Sequence, residues 1–428
     1  MFDIIADLKT RGLVYQSTDE QQLSEWLAEK PRTLYIGFDP TADSMHVGHM
    51  MALMNLRRFQ QAGHRPIALV GGATGMIGDP SGKSEERNLL DEEQLRVNSE
   101  LMKQQMSRFL DFDEGDQSAQ LVNNLDWMRD FPTLDFLRDI GKNFPVNVML
   151  SKESVKNRLS ESEAGLSFTE FSYMVLQAYD FVHLNAEYDC GLQAGGSDQW
   201  GNITAGIDLG RRMRSVQLHG LTSPLLTKAD GTKMGKTESG AIWLSAERTS
   251  PYKFYQYWIN LADDDAGACL RMLTELTLEE IEKLDQSRQD QTQARESQRA
   301  IADQLTLLVH GSEGLASAAR ASEILFGAEI ADLDDAQLLD VFSDVPSHEI
   351  SADQLSGGTL QLVDSLVETG LCQSKTDARR AIEQGGAYIN NRRVDGVDRM
   401  LTTDDLVSAS VIVIRRGKKK YALLKFPS

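Results

Sequence analysis

The chain has 428 residues, with 41% hydrophobic and 25% charged side chains, an ordinary globular composition that excludes a wholly disordered polymer or a membrane bundle. A net charge of −20 argues against a nucleic-acid partner until the charge is placed: residues 371–428 carry twelve Lys/Arg against six Asp/Glu, so this end is +6 and the remaining 370 residues are −26. No apolar run approaches spanning length, MFDIIADLKTRG lacks the basic start and apolar core of a signal peptide, and Cys190, Cys269 and Cys372 lack CxxC spacing, so a cytosolic, reduced protein without a membrane partner is expected.

In chain order, FDIIADLKTRG and DEQQLSEWLAEK read as two short amphipathic helices, the second capped by Asp19. TLYIGF alternates as a strand with Leu34, Ile36 and Phe38 on one face, and a turn through Asp39-Pro40-Thr41-Ala42-Asp43-Ser44 leads to a helix opening near Val47. His46 and His49 fall at the mouth of that helix, where unpaired N–H groups and the positive dipole end suit a phosphate chain. Gly48 between them leaves backbone open to a nucleotide ring. A histidine pair at this spacing also occurs in metal sites and at ordinary helix starts. No Cys, Asp or Glu pattern supplies further ligands, so no metal site is expected.

PIALV (66–70) is a continuous apolar run that breaks into GGATGMIGDPSGK, and strand, helix, strand in this style predicts a parallel sheet covered on both faces. The glycine-rich segment fits neither standard phosphate loop: the Walker spacing needs a Gly where Ile77 stands, and GxGxxG is absent. What remains is a Gly71–Gly75 turn, followed by the charges Asp79, Lys83 and Arg87. Further alternation gives a helix at 91–110, a strand at Gln120–Asn123, a helix at 133–142 and a strongly patterned helix TEFSYMVLQAYDFVHLNAEY after Ser167. Tyr173, Gln177 and Asp180 share one face of it at i, i+4 and i+7, facing either solvent or a polar pocket. CGLQAGGSDQWGN places Asp198 and Gln199 after a strand and a Gly-Gly break, where open α/β sheets bind ligands. LTKADGTKMGKTESG is too rich in Gly, Thr and Ser for a stable helix. Its Lys228, Lys233 and Lys236 are either a solvated turn or a flexible loop that closes over a polyphosphate.

From Pro251 to about Gly327 the pattern is helical and acidic. Asp-rich turns, Pro346 and Ser/Gly stretches then read as a linker, and a basic module begins near Leu360 with two short helices, a strand AYIN, a turn NNRR and terminal strands VIVIRR and YALLKF. Arg379, Arg380, Arg392, Arg393, Arg415, Arg416, Lys418, Lys419 and Lys420 suit a phosphate backbone. The expected fold class is α/β, with a Rossmann-like parallel-sheet domain (1–240), an all-α domain (241–330), a linker (331–356) and a small α+β RNA-binding domain (357–428).

DPTADSMHVGH together with KMGKT resembles the paired signatures of class I aminoacyl-tRNA synthetases, and YIGFDPTADS, TEFSYMVLQAYD and GGSDQWGNI are similar to the bacterial tyrosyl branch of that family. The resemblance extends over essentially the whole chain and implies activation of tyrosine by ATP, then transfer to tRNA(Tyr); the alternatives are a tryptophanyl-type synthetase, which shares the fold and signatures, and an RNA-binding relative that has lost the activity. It implies a homodimer, Mg2+ carried only through the nucleotide and no tightly held cofactor. By the same resemblance Thr41 and His46 hold the γ-phosphate, while His49, Asp198, Gly37, Gly196 and Asp39 belong to the ATP set. Lys83, Arg87, Lys233, Lys236 and Thr237 meet the pyrophosphate. Asp79, Tyr173 and Gln177 hold the substrate ammonium, with Gln199 near the carboxyl group and Tyr35 and Asp180 on the phenolic hydroxyl. Gly235 and Thr237 depart from the general KMSKS signature, which loosens the loop, and Ile36 stands where some members carry a thiol that touches the ribose.

Overall fold

The computed structural model describes residues 2–81, 91–113, 115–161, 166–237, 240–325, 327–330, 333–343, 345–418 and 420–427. The chain opens with α1 (Ile4–Thr10), β1 (Gln16–Ser17) and α2 (Glu20–Glu29), the Asp19 carboxylate accepting the Gln22 N–H at 2.9 Å as the expected cap. There follow β2 (Thr33–Phe38), α3 (Val47–Gln61), β3 (Arg65–Val70), α4 (Glu92–Met106), β4 (Gln120–Asn123), α5 (Phe168–Tyr188), β5 (Cys190–Gly196), α6 (Trp200–Arg214) and β6 (His219–Ser223). The six strands form one sheet in the order β1-β6-β5-β2-β3-β4, parallel except for β1. Strand β2 is buried on both faces, Tyr35 as fully as Leu34 and Ile36, which is why the apolar run rather than strict alternation marks these strands.

Strand order reverses beside β2: the chain goes on to β3 and β4 on one side and returns as β5 and β6 on the other. The carboxyl ends of β2 and β5 therefore diverge into a crevice, and the loops leaving them border it. Helix α3 is held against the sheet by Met50, Leu53, Met54, Leu56 and Phe59, each fully buried and worth about 1.5–3 kcal/mol of transfer free energy. That packing fixes the direction in which its N-terminus points.

Two local expectations come out differently. The helix expected over 133–142 is helical but irregular: Thr133–Asp135 is an α turn, Phe136–Ile140 is π-helix and Gly141–Asn143 is 3-10, in unbroken succession between Pro132 and Pro145. The lysine loop is partly ordered as a small hairpin, β7 (Lys236–Thr237) pairing antiparallel with β8 (Gly240–Ala241).

The later helices are α7 (Pro251–Ile259), α8 (Asp263–Leu273), α9 (Leu278–Asp290) and α10 (Glu296–Leu325), the last broken at Gly311, whose φ of 74° no other residue type adopts easily. By their packing these helices are shared between two compact units, residues 1–249 with 259–309, and residues 250–258 with 310–428.

In the second unit come α11 (Asp335–Val341), β9 (Ser347–Glu349), α12 (Leu362–Glu368), α13 (Lys375–Glu383), β10 (Ala387–Ile389), β11 (Arg392–Arg393), β12 (Val411–Arg416) and β13 (Lys420–Lys425). The sheet order is β11-β10-β12-β13-β9, antiparallel except for the β13–β9 pair. One face packs on α12 and α13 through Ile412, Ile414, Leu366 and Ile382, and the other on α11 and the end of α10 through Val411, Val413, Phe342 and Ile324. Residues 335–349, expected inside a linker, thus belong to the body of this unit: Leu338, Val341 and Phe342 are buried, and β9 completes the sheet edge. Among the described residues no helix is long and apolar enough to cross a membrane.

Candidate active site

The crevice beside β2 is a pocket lined by Tyr35, Gly37, Asp39 and Thr41 from β2 and its turn, Gly48 and His49 from α3, Thr74, Asp79 and Ser81 after β3, Tyr173, Gln177 and Asp180 from α5, and Gln193, Gly196, Asp198, Gln199 and Lys233. The helix face left open by periodicity is therefore a pocket wall. His46, its ring 4.0 Å from that of His49, and Lys236, whose charge acts on His46, stand beside this lining instead of in it, and Thr237 follows Lys236 in β7. Lys83 and Arg87 lie outside the described residues.

At the mouth of α3 the two histidines cap the helix for each other. The His46 Nδ1 accepts the Gly48 N–H at 3.0 Å and the His49 Nδ1 accepts the His46 N–H at 3.1 Å, with the rings 4.0 Å apart. With both Nδ1 atoms acting as acceptors, each neutral ring carries its proton on Nε2. Burial, reinforced by the Lys236 charge, lowers the His46 pKa and keeps it in that neutral form. Gly48 has a second reason to be glycine besides an open backbone: a Cβ there would lie 2.8 Å from the His46 ring.

The lysine segment is joined to this helix mouth by backbone bonds. Val47 donates to the Ile242 carbonyl at 2.9 Å, Ile242 donates to Gly235 at 2.8 Å, and His46 forms a bridge with Trp243. Gly235 has φ 83° and sits where a Cβ would approach Val47 to 2.9 Å. The departure from serine, expected to loosen the loop, therefore allows a tight turn against α3.

Deeper in the pocket the polar groups form a chain. The Tyr173 hydroxyl donates to Asp39 at 3.0 Å, Thr74 donates to the other Asp39 oxygen at 2.8 Å, and Asn124 donates to Thr74 at 3.1 Å and to Asp180 at 3.0 Å. Trp127 donates to the second Asp180 oxygen at 2.8 Å. Gln199 links Asp79 at 2.7 Å to Gln177 at 3.2 Å. Burial pushes the Asp180 carboxyl up to about 7 against the pull of Asn124 and Trp127, and burial followed by the Asp180 charge holds the Tyr35 phenol well above its ordinary range. Burial also raises the Asp198 carboxyl, and Asp79 adds to it.

Three buried atoms in this wall have no hydrogen-bond partner among the described residues: the Tyr35 hydroxyl, Gln177 Oε1 and Gln193 Oε1. Leaving such atoms unpaired costs about 1–3 kcal/mol each, so the pocket is built for a polar ligand. Sequence reasoning missed Thr74, Asn124, Trp127 and Gln193. Asn124 directly follows β4, so the rule that ligands gather at strand carboxyl ends would have found it.

The basic residues of the second unit divide by exposure. Arg379, Arg380, Arg392, Arg393, Lys418 and Lys420 are exposed, although Arg392 is ion-paired with Glu329 and Arg393 with Asp395. Lys419 lies outside the described residues. Arg415 corrects the expectation: it is 7% exposed, stacked 3.9 Å over the Tyr388 ring and bonded to the Tyr421 hydroxyl, because alternation along β12 turns it inward with Val411 and Val413. Arg416 is half-buried on the opposite face, holding Asp377 at 2.8 Å and the Leu371 carbonyl. Neither is an open phosphate contact.

A Rossmann-like sheet with an HVGH helix mouth bonded to a KMGKT hairpin defines a class, and the sequence comparisons give the same one. Residues 27–327 match the family described as tRNA synthetases class I (W and Y), and residues 337–424 match the Tyrosine--tRNA ligase SYY-like C-terminal domain. The chain is 61% identical over 422 residues to the tyrosine–tRNA ligase of Rhodopirellula baltica, covering 99% of this chain and 96% of that one. It is 51% identical over 427 residues to that of Geobacillus stearothermophilus, covering 99% and 100%. A C-terminally truncated mitochondrial tyrosyl-tRNA synthetase of Aspergillus nidulans superposes with a TM-score of 0.69 at 30% identity, over 76% of this chain and 95% of that one. The chain belongs to the class I tRNA synthetases, in their tyrosine–tRNA ligase branch.

Proposed function

We propose that the chain activates L-tyrosine with ATP, forming tyrosyl-adenylate and pyrophosphate, and then passes the tyrosyl group to the 3′-terminal ribose of tRNA(Tyr). The observation that carries the choice of amino acid is the unsatisfied Tyr35 hydroxyl beside Asp180, whose oxygens already accept from Asn124 and Trp127. A phenolic O–H can donate to Asp180 and accept from Tyr35, satisfying both. An indole lacks the hydroxyl to do so.

In the first step the tyrosine carboxylate attacks the α-phosphorus, the bond to the pyrophosphate oxygen breaks, and no proton need move. The protein positions the reactants and stabilises charge. Asp79, Tyr173 and Gln177 hold the ammonium group, Gln199 stands near the carboxylate, and the Tyr35–Asp180 pair fixes the ring. His49, Asp198, Asp39 and the backbone at Gly37 and Gly196 take the adenosine. Thr41 and the Nε2 proton of His46 meet the γ-phosphate, while Lys83, Arg87, Lys233, Lys236 and Thr237 neutralise the departing pyrophosphate. Mg2+ arrives with the nucleotide.

We assign tRNA contacts to the exposed lysines and arginines of residues 357–428, and the helices of 241–330 to the anticodon side. The protein acts as a homodimer in the cytoplasm. Support for the dimer comes from exposed large apolar side chains between residues 134 and 168, among them Leu134 (80% exposed), Val146 (59%) and Phe168 (75%). Exchange of pyrophosphate into ATP, run with each of the twenty amino acids, tests the assignment. Exchange with tyrosine alone is expected, and exchange with tryptophan, or with none, overturns it.

A further inference from the structure

The segment Leu226–Met234 is a hairpin in its own right. Met234 donates to the Leu226 carbonyl at 2.9 Å, Lys228 donates to Thr232 at 2.8 Å, and Thr227 bridges Lys233. Its tip is a turn closed by the Gly231 N–H on the Lys228 carbonyl at 2.9 Å, with Ala229 in the second position and the Asp230 carboxylate accepting the Thr232 N–H. Ala229, Asp230, Gly231 and Thr232 are all exposed, so packing does little to hold this tip.

What does hold it comes from α8. Asp265, only 7% exposed, accepts the Ala229 N–H at 2.6 Å, and one turn later Cys269, 1% exposed, meets the Met234 sulfur at 3.6 Å. Residues four apart share a helix face, so one face of α8 grips the hairpin at both its tip and its base. Burial, helped by the Asp265 charge, pushes the Cys269 thiol up to about 12, so it serves here as apolar packing. Beyond Met234, Gly235 turns against Val47 of α3. The hairpin is thereby clamped between α8 and the HVGH helix mouth, with Lys233 reaching the pocket and Lys236 acting on His46.

We propose that Asp265 is a positioning residue for tyrosine activation: through its bond to Ala229 it holds the lysine hairpin where Lys233 and Lys236 meet the developing pyrophosphate. The inference rests on the role given to those lysines above. Asp265 touches no substrate and acts through the loop. Its contribution falls on the rate of adenylate formation and leaves tyrosine affinity alone, because Tyr35, Asp180, Asp79 and Tyr173 stand on other elements.

The test is single-turnover adenylate formation, with tyrosine affinity measured at equilibrium, on the full chain. Asp265→Ala is expected to slow adenylate formation by roughly ten- to a hundredfold, the loss that follows from removing a hydrogen bond to a charged group. Asp265→Asn, which keeps an acceptor oxygen, should stay much closer to the parent, and tyrosine affinity should be unchanged in both. Lys236→Ala is measured in parallel, and the double variant should be hardly slower than Lys236→Ala alone. Should Asp265→Ala fail to fold, Ala229→Pro removes the same bond from the loop side, at a turn position that accepts proline. A parental rate in the Asp265→Ala or Ala229→Pro protein overturns the proposal, as does a parallel loss of tyrosine affinity or an Asn variant as slow as Ala. A Lys236→Ala protein with a parental rate overturns instead the lysine assignment on which the inference rests.

Discussion

Replacing Tyr35 by Phe takes one oxygen out of an almost closed part of the pocket and leaves the rest in place. The ring is 1% exposed and lies edge-on to Phe181 with centroids 5.4 Å apart, an arrangement that a phenylalanine repeats. Its hydroxyl has no partner among the described residues, and with its pKa held well above 10 it stays an O–H donor at any working pH. Removing an unpaired buried hydroxyl returns its desolvation cost of about 1–3 kcal/mol, so the variant without substrate should be the more stable protein, an unusual sign for a substitution in a site wall. Tyrosine, however, loses one hydrogen bond, about 0.5–1.5 kcal/mol, which corresponds to roughly two- to thirteenfold weaker binding. Phenylalanine gains relative to tyrosine, since it no longer leaves the Tyr35 hydroxyl stranded. Urea unfolding of the free protein, tyrosine affinity, and pyrophosphate exchange with both amino acids measure the three effects. A variant destabilised by more than about 1 kcal/mol, or one that discriminates as well as the parent, refutes the placement of the phenol against Tyr35.

Asp180 predicts a pH signature. Burial raises its carboxyl from 3.8 to about 7, so between those values the folded protein keeps a proton the unfolded chain has released; the difference in unfolding free energy between the parent and Asp180→Asn should therefore fall as pH rises through that window and be flat on either side, as urea titrations at each pH would record. Gly48→Ala places a Cβ 2.8 Å from the His46 ring, which must swing and give up its cap on α3; stability should drop by about 0.5–2 kcal/mol and adenylate formation should slow, with tyrosine affinity unchanged in an equilibrium titration. Reversing the exposed Arg379, Arg380, Lys418 and Lys420 should weaken tRNA binding and flatten its salt dependence by about 0.9 in logarithmic slope for each duplex phosphate no longer neutralised, leaving pyrophosphate exchange untouched. Arg415→Ala, by contrast, should lower the stability of its own unit in urea, because its guanidinium fills the space between Tyr388 and Tyr421.

The elements read correctly from sequence are those whose burial repeats with a period. The 21 residues of α5, the alternation of β2 and the apolar run of β3 announce themselves because one face or both must leave water. Strand β9 could not be read this way. Ser-His-Glu at a sheet edge has no apolar alternation, and only its pairing with Leu423–Lys425 makes it a strand. The stretch 133–143 is helical, as its pattern indicates, but passes from α to π to 3-10 turns, a change of pitch that no apolar period specifies. The error at Arg415 is instructive in another way. VIVIRR looks basic by charge, yet its alternation already assigns Arg415 to the face of Val411 and Val413, and Arg416 to that of Ile412 and Ile414. Most of the candidate site residues are legible because they lie in signature strings, whereas Asp79 lies in none of them and is brought to the pocket by the turn after β3. Asn124 and Trp127 belong to no such string and reach Asp180 only once β4 lies beside β3.

HVGH and KMGKT are each ambiguous alone, since a histidine pair at a helix start and a basic turn are both common surface features. The backbone removes the ambiguity. Val47, Ile242 and Gly235 are bonded in series, so the helix mouth and the lysine turn are joined through backbone before any substrate arrives. Groups that stabilise charge only as it develops gain most from being fixed in advance, because no reorganisation is then spent at the moment of reaction. The groups assigned to tyrosine stand elsewhere, on β2 and α5 and in the loops after β3 and β5. On the proposed reading, lesions at Tyr35 or Asp180 should therefore appear in affinity and selectivity, while lesions at the α3–hairpin junction appear in rate. The two sets should add independently wherever no side chain is shared between them.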